Sequence, residues 1–262
     1  MNILDELADY ARYRVSEAEK KIPEEEMRNA AEALGGGTGF PFEKALAAPG
    51  ISFITEVKKA SPSKGLIAPD FPYLQIAEAY QKAGASAISC LTEPKWFQGS
   101  DQYLKEIAAH VTIPVLRKDF TVSPYMIWQA RTLGASAVLL ICAILDEQEL
   151  TEYRNIAESV GLSALVEAHD EKEVEMALRS GAKIIGVNNR NLKDFTVDIR
   201  NSERLRKMVP DDIIFVSESG IRTADDVARL YRNGTNAVLI GETLMRSSDK
   251  KGMLDELRSQ IV

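Results

Sequence analysis

Three observations predict an α/β fold, a (β/α)8 barrel with an N-terminal helical extension. Eight short aliphatic and β-branched runs are spaced along residues 51 to 241. Each is followed by a stretch that can form a helix, and strict βα alternation favours an α/β fold. The runs are apolar at nearly every position, as in parallel strands covered on both faces.

The elements follow in order. Residues 1 to about 34 read as helical, because Ile3, Leu4, Leu7, Tyr10, Ala11 and Val15 recur at helix spacing. Pro23 suits the start of a second helix near Glu24. "GGGTG", Gly35 to Gly39, is a break. The expected organisation is an extension over residues 1–47 packed on a catalytic barrel over 48–262, one domain overall. The strands are "ISFITEV", "ASAISCL", "IPVLRK", "SAVLLI", "SALVEA", "KIIGVN", "IIFVSES" and "NAVLIG". Between them lie "LQIAEAYQKAG", "SPYMIWQARTLG", "DEQELTEYRNIAESVG", "EKEVEMALRSG" and "TADDVARLYRNG". These close on Gly just past the last apolar turn, a helix C-terminus signal. Eight such units in about 210 residues fit the TIM barrel. A doubly wound open sheet would favour a GxGxxG turn after the first strand. "EVKKASPSKG" stands there instead.

Composition narrows the function classes. The chain has 262 residues, 45% hydrophobic and 27% charged, enough for a well-buried core. A net charge of -7 argues against a nucleic-acid groove but leaves room for a local basic pocket. Cys90 and Cys142 sit inside apolar runs and read as reduced, buried thiols. No Cys/His cluster has metal spacing, so no metal is expected. "MNILDELADYARYRV" has acids and arginines spread along it, unlike a secretory signal. No run reaches the ~18 apolar residues of a membrane span, so a cytoplasmic protein without membrane contact is expected.

In a (β/α)8 barrel the site forms at the C-terminal ends of the strands. Strand 1 ends in Glu56 and Lys58, with Ser61 beyond; strand 3 ends in Arg117, Lys118, Asp119 and Phe120. Strand 5 ends in Glu167, strand 6 in Asn188, Asn189 and Arg190, strand 7 in Glu218, Ser219 and Gly220, and strand 8 in Gly241 and Glu242. Alternation puts Glu56 and Lys58 on one face and Val57 on the other. By the same rule Lys118 opposes Arg117 and Asp119, and parity alone does not say which set points inward. Such a crowd of charge is costly unless the groups pair or bind a ligand. Gly220 and Gly241 let backbone approach a ligand closely, which suits phosphate after the last two strands. His110 and His169 lack partners at metal spacing and read as structural or surface residues. Trp96 and Phe97 suit either packing or the wall of an aromatic pocket, and Trp128 suits core or interface.

"EVKKASPSKG", "LTEPKWFQGS", "IPVLRKDF", "LVEAHD", "GVNNRNL", "VSESGI" and "LIGETLMR" together resemble the indole-3-glycerol-phosphate synthases, in order, over about residues 40 to 246. The resemblance implies a lyase of tryptophan biosynthesis, acting on 1-(2-carboxyphenylamino)-1-deoxyribulose 5-phosphate. It closes the indole ring with loss of CO2 and water, and needs no cofactor. It implies Lys118 as the acid of ring closure, pointing inward, and Glu167 as a base with Lys58 as a second acid. Glu56 orients the lysines or relays protons. Clustered lysines lower one another's pKa while carboxylates pull the other way. The resemblance puts phosphate on Ser219, Gly220, Gly241 and Glu242, helped by Lys58. Asn188 and Arg190, with Ser61, grip polar groups of the substrate, and Phe97 and Phe120 flank its aromatic ring. Glu242 stands where some relatives have Ser; a backbone contact would survive that change, and a hydroxyl contact would not. A phosphorylated small molecule is the expected partner, and a monomer or weak homodimer the expected state. A phosphoribosylanthranilate isomerase would want a Cys acid at the end of strand 1, where neither cysteine lies.

Overall fold

The computed structural model of the chain describes residues 3–191 and 195–261. Leu192, the last residue of "GVNNRNL", lies outside them. Eight parallel strands close a barrel: β1 (Ser52–Val57), β2 (Ala87–Leu91), β3 (Val115–Lys118), β4 (Ala137–Ile141), β5 (Ser163–Ala168), β6 (Ile184–Asn188), β7 (Ile214–Glu218) and β8 (Ala237–Ile240). Each pairs with its sequence neighbours, and β8 closes on β1 through Ser52 opposite Ala237.

Alternation sorts the strand residues into two cores. Phe53, Val57, Ile88, Cys90, Val138 and Phe215 face the helices. Ile54, Leu116, Leu139, Leu165, Val216 and Leu239 fill the barrel interior. Thr55 belongs to the outward set and donates to Ala87 O at 3.3 Å. The helix α3 (Pro41–Leu46) contributes Phe42 and Leu46 to the interior cluster, and so plugs the end where the strands begin. What remains open is the other end.

Two earlier helices wrap the outside. Leu4 and Leu7 of α1 (Ile3–Glu19) reach the wall of the cavity at the open end. Further along α1, Arg14 grips Asp119 just past β3 at 2.6 and 3.1 Å. The next helix, α2 (Glu24–Ala33), lies on α6 (Pro124–Thr132), where Arg28 stacks 5.9 Å over the buried Trp128 ring. The outer ring also holds α4 (Tyr73–Lys82), α5 (Asp101–His110), α7 (Glu147–Ser159), α8 (Glu171–Arg179), α9 (Arg200–Leu205), α10 (Ala224–Arg232), α11 (Glu242–Arg246) and α12 (Lys250–Arg258). Gly84 and Gly181, just past α4 and α8, take φ of 82° and 80° and let those helices end. Within the first βα loop the chain makes a hairpin, Ala60–Ser61 against Gly65–Leu66, where the sequence suggests a plain loop. Among the described residues no helix is long and apolar enough to cross a membrane.

Candidate active site

The strand ends converge on one cavity, lined by Glu56, Lys58, Lys118, Glu167, Asn188 and Glu218 among others. At its centre is Lys118. Its Nζ stands 2.9 Å from Glu167 Oε2 and 3.6 Å from Glu218 Oε2. Arg117 points the other way, to Met126 O at 2.9 Å and Asp101 at 2.8 Å. Asp119 also leaves the barrel axis: it takes Arg14, Thr92 Oγ1 at 2.5 Å and its neighbour's N–H, from Phe120, at 2.8 Å. The residues on either side of Lys118 are thus anchored outside the barrel, which fixes the lysine's direction.

The charges set one another. Burial opposes the ammonium of Lys118, but the carboxylates, Glu167 first and Glu56 with it, outweigh burial and raise it above its ordinary value. Of the two opposing influences expected, mutual lowering by lysines and raising by carboxylates, the carboxylates prevail at Lys118, and Lys58 is tied to Glu56 as an ion pair. Burial also opposes the charge on Glu167, yet Lys118 and His169 outweigh it and hold that carboxyl below the usual range. Glu218 goes the other way. Burial, helped by the charges on Glu167 and Glu56, lifts its carboxyl well above the usual range. Two neighbouring acids are therefore pushed apart, one to the carboxylate and one to the neutral acid, a pattern that marks acid–base sites.

Glu218 is one of the charged strand ends read from the sequence, but the resemblance gives it no role. One signal points to it: Gly186, inside an otherwise apolar strand. A Cβ there would collide with the Glu218 carboxyl, and glycine in a strand interior marks a close approach. Glu93 is a second residue without an expected role. Its buried carboxylate accepts from the N–H groups of Lys95, Trp96 and Phe97 at 2.8, 2.7 and 2.9 Å, and so shapes the loop after β2. That loop sends Trp96 and Phe97 opposite ways. Trp96 packs edge-on against Tyr10 of α1 at 5.5 Å. Phe97 enters the cavity wall beside Phe120, ring centroids 6.1 Å apart and tilted by 42°. A ring held between two others needs about 7 Å of separation. The two phenylalanines touch each other, and an aromatic ligand would pack against the pair rather than between its members.

Ser61 lines the cavity and pairs with Gly65 in the short hairpin. Asn188 hydrogen-bonds Glu167 and accepts from Arg190 N at 3.0 Å. Arg190 lines the cavity and donates to Phe195 O at 3.3 Å. Its neighbour Asn189 turns outward and stitches β6 to β7, donating to Ser217 Oγ and Ser219 O at 3.0 Å each. Ser219 is held there at φ 69°, left-handed for a residue with a side chain, followed by Gly220 at φ 83°. Such backbone costs roughly 1–3 kcal/mol and collects at functional sites. Across the cavity, a Cβ on Gly241 would collide with the Glu56 carboxylate and come 2.9 Å from Lys58 Nζ. The Glu242 side chain pairs with Arg246 at 3.1 Å and with Lys64, also on the cavity wall, at 3.8 Å.

His169 is not a surface residue. It is mostly buried beside Glu167. Cys90 and Cys142 are both buried in the outer core. Among the described residues, no group of three His, Cys, Asp or Glu is placed to hold a metal ion.

Comparison with known proteins identifies the family. The family model described as "Indole-3-glycerol phosphate synthase" matches residues 4–257. A protein of that name from Ruminiclostridium cellulolyticum is 57% identical over 256 residues, covering 98% of each chain. One from Lacticaseibacillus casei is 52% identical, covering 96% of this chain and 97% of its own. The fold is shared more widely. A thiamine phosphate pyrophosphorylase from Pyrococcus furiosus superposes with a TM-score of 0.62 at 15% identity, covering 84% of this chain and 97% of its own. The chain belongs to the indole-3-glycerol phosphate synthase family, a family of (β/α)8 carboxy-lyases.

Proposed function

We propose that this chain converts 1-(2-carboxyphenylamino)-1-deoxyribulose 5-phosphate to indole-3-glycerol phosphate, with Lys118 as the acid of ring closure. The observation that carries the assignment is Lys118 Nζ, buried at the barrel mouth between Glu167 and Glu218. As the ring carbon bearing the carboxylate attacks the ribulose carbonyl, negative charge builds on the carbonyl oxygen. Lys118 protonates that oxygen. Its raised pKa is compatible with the role, because the acceptor is a developing alkoxide, more basic than an amine. The C–CO2 bond then breaks, and its electron pair restores the aromatic ring. Last, the hydroxyl leaves as water with a proton from Lys58, and Glu167 accepts the proton lost from the new five-membered ring. Glu167, held ionised, is a ready acceptor; Glu218, held neutral, contributes a hydrogen bond without adding charge.

Glu56 fixes Lys58 through their ion pair. Phosphate sits over Ser219, Gly220, Gly241 and the Glu242 backbone. The bare Gly241 supports this, since it leaves Lys58 exposed to that space. Arg190, with Asn188 and Ser61, holds the substrate's carboxylate and hydroxyls, a task to which the guanidinium fork is suited. The aromatic ring packs on Phe97 and Phe120. The working unit proposed is a monomer or weak homodimer. A doubly charged sugar phosphate does not cross bilayers, which favours a cytoplasmic setting.

The test is direct. Purified protein is expected to form indole-3-glycerol phosphate without added metal; no product over a broad pH range would sink the reading. Lys118→Met is expected to abolish turnover while substrate binding stays within roughly tenfold. Wild-type kcat in that variant would refute the acid assignment.

A further inference from the structure

Lys118 occupies one oxygen of Glu167; the other faces an imidazole. Glu167 Oε1 lies 3.4 Å from His169 Nε2. The opposite ring nitrogen, Nδ1, is 2.9 Å from Glu173 Oε2. That carboxylate is itself pinned. It accepts from His169 N at 2.7 Å, while Glu173 N donates to Asp170 Oδ1 at 3.0 Å. Asn201 Nδ2 holds the His169 carbonyl at 3.0 Å. The turn from β5 into α8 thus builds a chain of three groups, Glu173, His169 and Glu167, ending on the proposed base.

We infer that His169, held by Glu173, is a positioning residue that fixes Glu167 for its work as base. The inference rests on the proposed role of Glu167. A carboxylate at Nδ1 keeps a proton on that nitrogen. A neutral ring would then turn a bare Nε2 lone pair toward a second carboxylate at 3.4 Å, which is repulsive. Only the doubly protonated ring attracts both. Nε2 is buried and makes no hydrogen bond among the described residues, so an imidazolium there meets Glu167 Oε1 as a charge at 3.4 Å, with no competing acceptor.

The surroundings favour the same state. Facing the ring are Glu167 of β5, Asp170 and Glu173 at the start of α8, and Glu218 of β7. Burial opposes charging His169, but Glu173 and Glu167 outweigh it and raise the ring above its ordinary value. Across the adjoining cavity, Arg190 bonds Phe195 O, Arg200 pairs with Asp198, and Arg204 pairs with Glu171. The consequence is mechanistic. When Lys118 gives up its proton, Glu167 loses the positive charge beside Oε2. The imidazolium on Oε1 keeps the carboxylate ionised and in place for the later deprotonation.

The chain has two histidines, so an imidazole 15N spectrum of the whole protein resolves His169 without dilution. At neutral pH its ring is expected to be doubly protonated. The alkaline limb of kcat is expected to follow its titration, move to lower pH in Glu173→Gln, and vanish in His169→Gln. His169→Gln should lower kcat about tenfold with KM nearly unchanged, part of the ~10²–10⁴ a placed base supplies. Glu173→Gln keeps the ring and serves where His169→Gln fails to fold. A neutral ring at pH 7, or an alkaline limb that stays in place in the variants, overturns the inference. A wild-type protein that makes no product would instead overturn the proposed function.

Discussion

Gly186→Ala probes the site without touching a charged group. Gly186 sits in β6, facing the barrel interior, and its φ is not positive, so alanine can adopt the backbone. The added methyl would collide with the Glu218 carboxyl and stand 3.1 Å from Leu165 Cδ1. Leu165 is fully buried and has little room to give, so Glu218 must move. Forcing one methyl into a packed interior costs about 1–3 kcal/mol. Alanine in place of strand glycine returns about 0.5–1 kcal/mol. The net loss of stability is therefore about 0–2.5 kcal/mol, small enough to leave a folded protein. Catalysis should suffer more. Glu218 lies 3.6 Å from Lys118, and a shift of a few tenths of an ångström alters the field on the acid. The expectation is a drop in kcat of roughly ten- to a hundredfold, a fraction of what a placed acid–base group supplies. The assay is product formation followed by indole fluorescence, with thermal melting alongside. Wild-type kcat in a folded Gly186→Ala protein would mean that the placement of Glu218 against Lys118 is not needed.

Three further outcomes follow from the same geometry. Arg14→Ala leaves the buried Asp119 without its bidentate partner, though Thr92 and the Phe120 N–H remain, and should cost about 3 kcal/mol, read as a lower urea midpoint. Burial opposes the Asp119 charge but Arg14 and Arg117 hold its pKa down, so this stabilisation is present above the unfolded value near ~3.9 and lost as pH falls below it; the gap between variant and wild type should close in acid. Gly241→Ala pushes into Glu56 and Lys58, and should raise KM for the phosphorylated substrate and weaken inhibition by inorganic phosphate, with the fold intact.

Much of this was open to reading in the chain, and the limits were physical. Apolar runs and their alternation are local, so the barrel strands lie within two residues of where periodicity puts them. Parity was enough for Glu56 and Lys58, which share a face of β1. It was silent for β3, because three charged residues in a row leave both faces polar. Only tertiary partners, Arg14 from α1 and Asp101 from α5, show which of the three leave the barrel. The hairpin at Ala60–Ser61 escaped because two-residue strands carry no period. Phe42 and Leu46 sit on one short helix, too brief for a hydrophobic stripe to announce a plug.

The roles of Glu218 and His169 were missed for a different reason, and it bears on one last expectation. Each acquires its character from neighbours distant in sequence, and a lone acid or histidine looks ordinary until those neighbours are placed. For Glu218 the neighbours raise the carboxyl, burial first and then Glu167 and Glu56. A carboxyl that binds its proton more tightly folded than unfolded loses stability for the fold as pH rises past its unfolded value, near ~4.3, until the folded group ionises too. Glu218→Gln removes that titration while keeping the shape. Its melting temperature should therefore gain on wild type between acid and neutral pH, even as kcat falls. A melting-temperature difference that does not change with pH would show that Glu218 titrates normally, and that the two acids are not held in opposite states. Activity and stability move in opposite directions at this one position because the fold tolerates, in Glu218, an acid it would be more stable without.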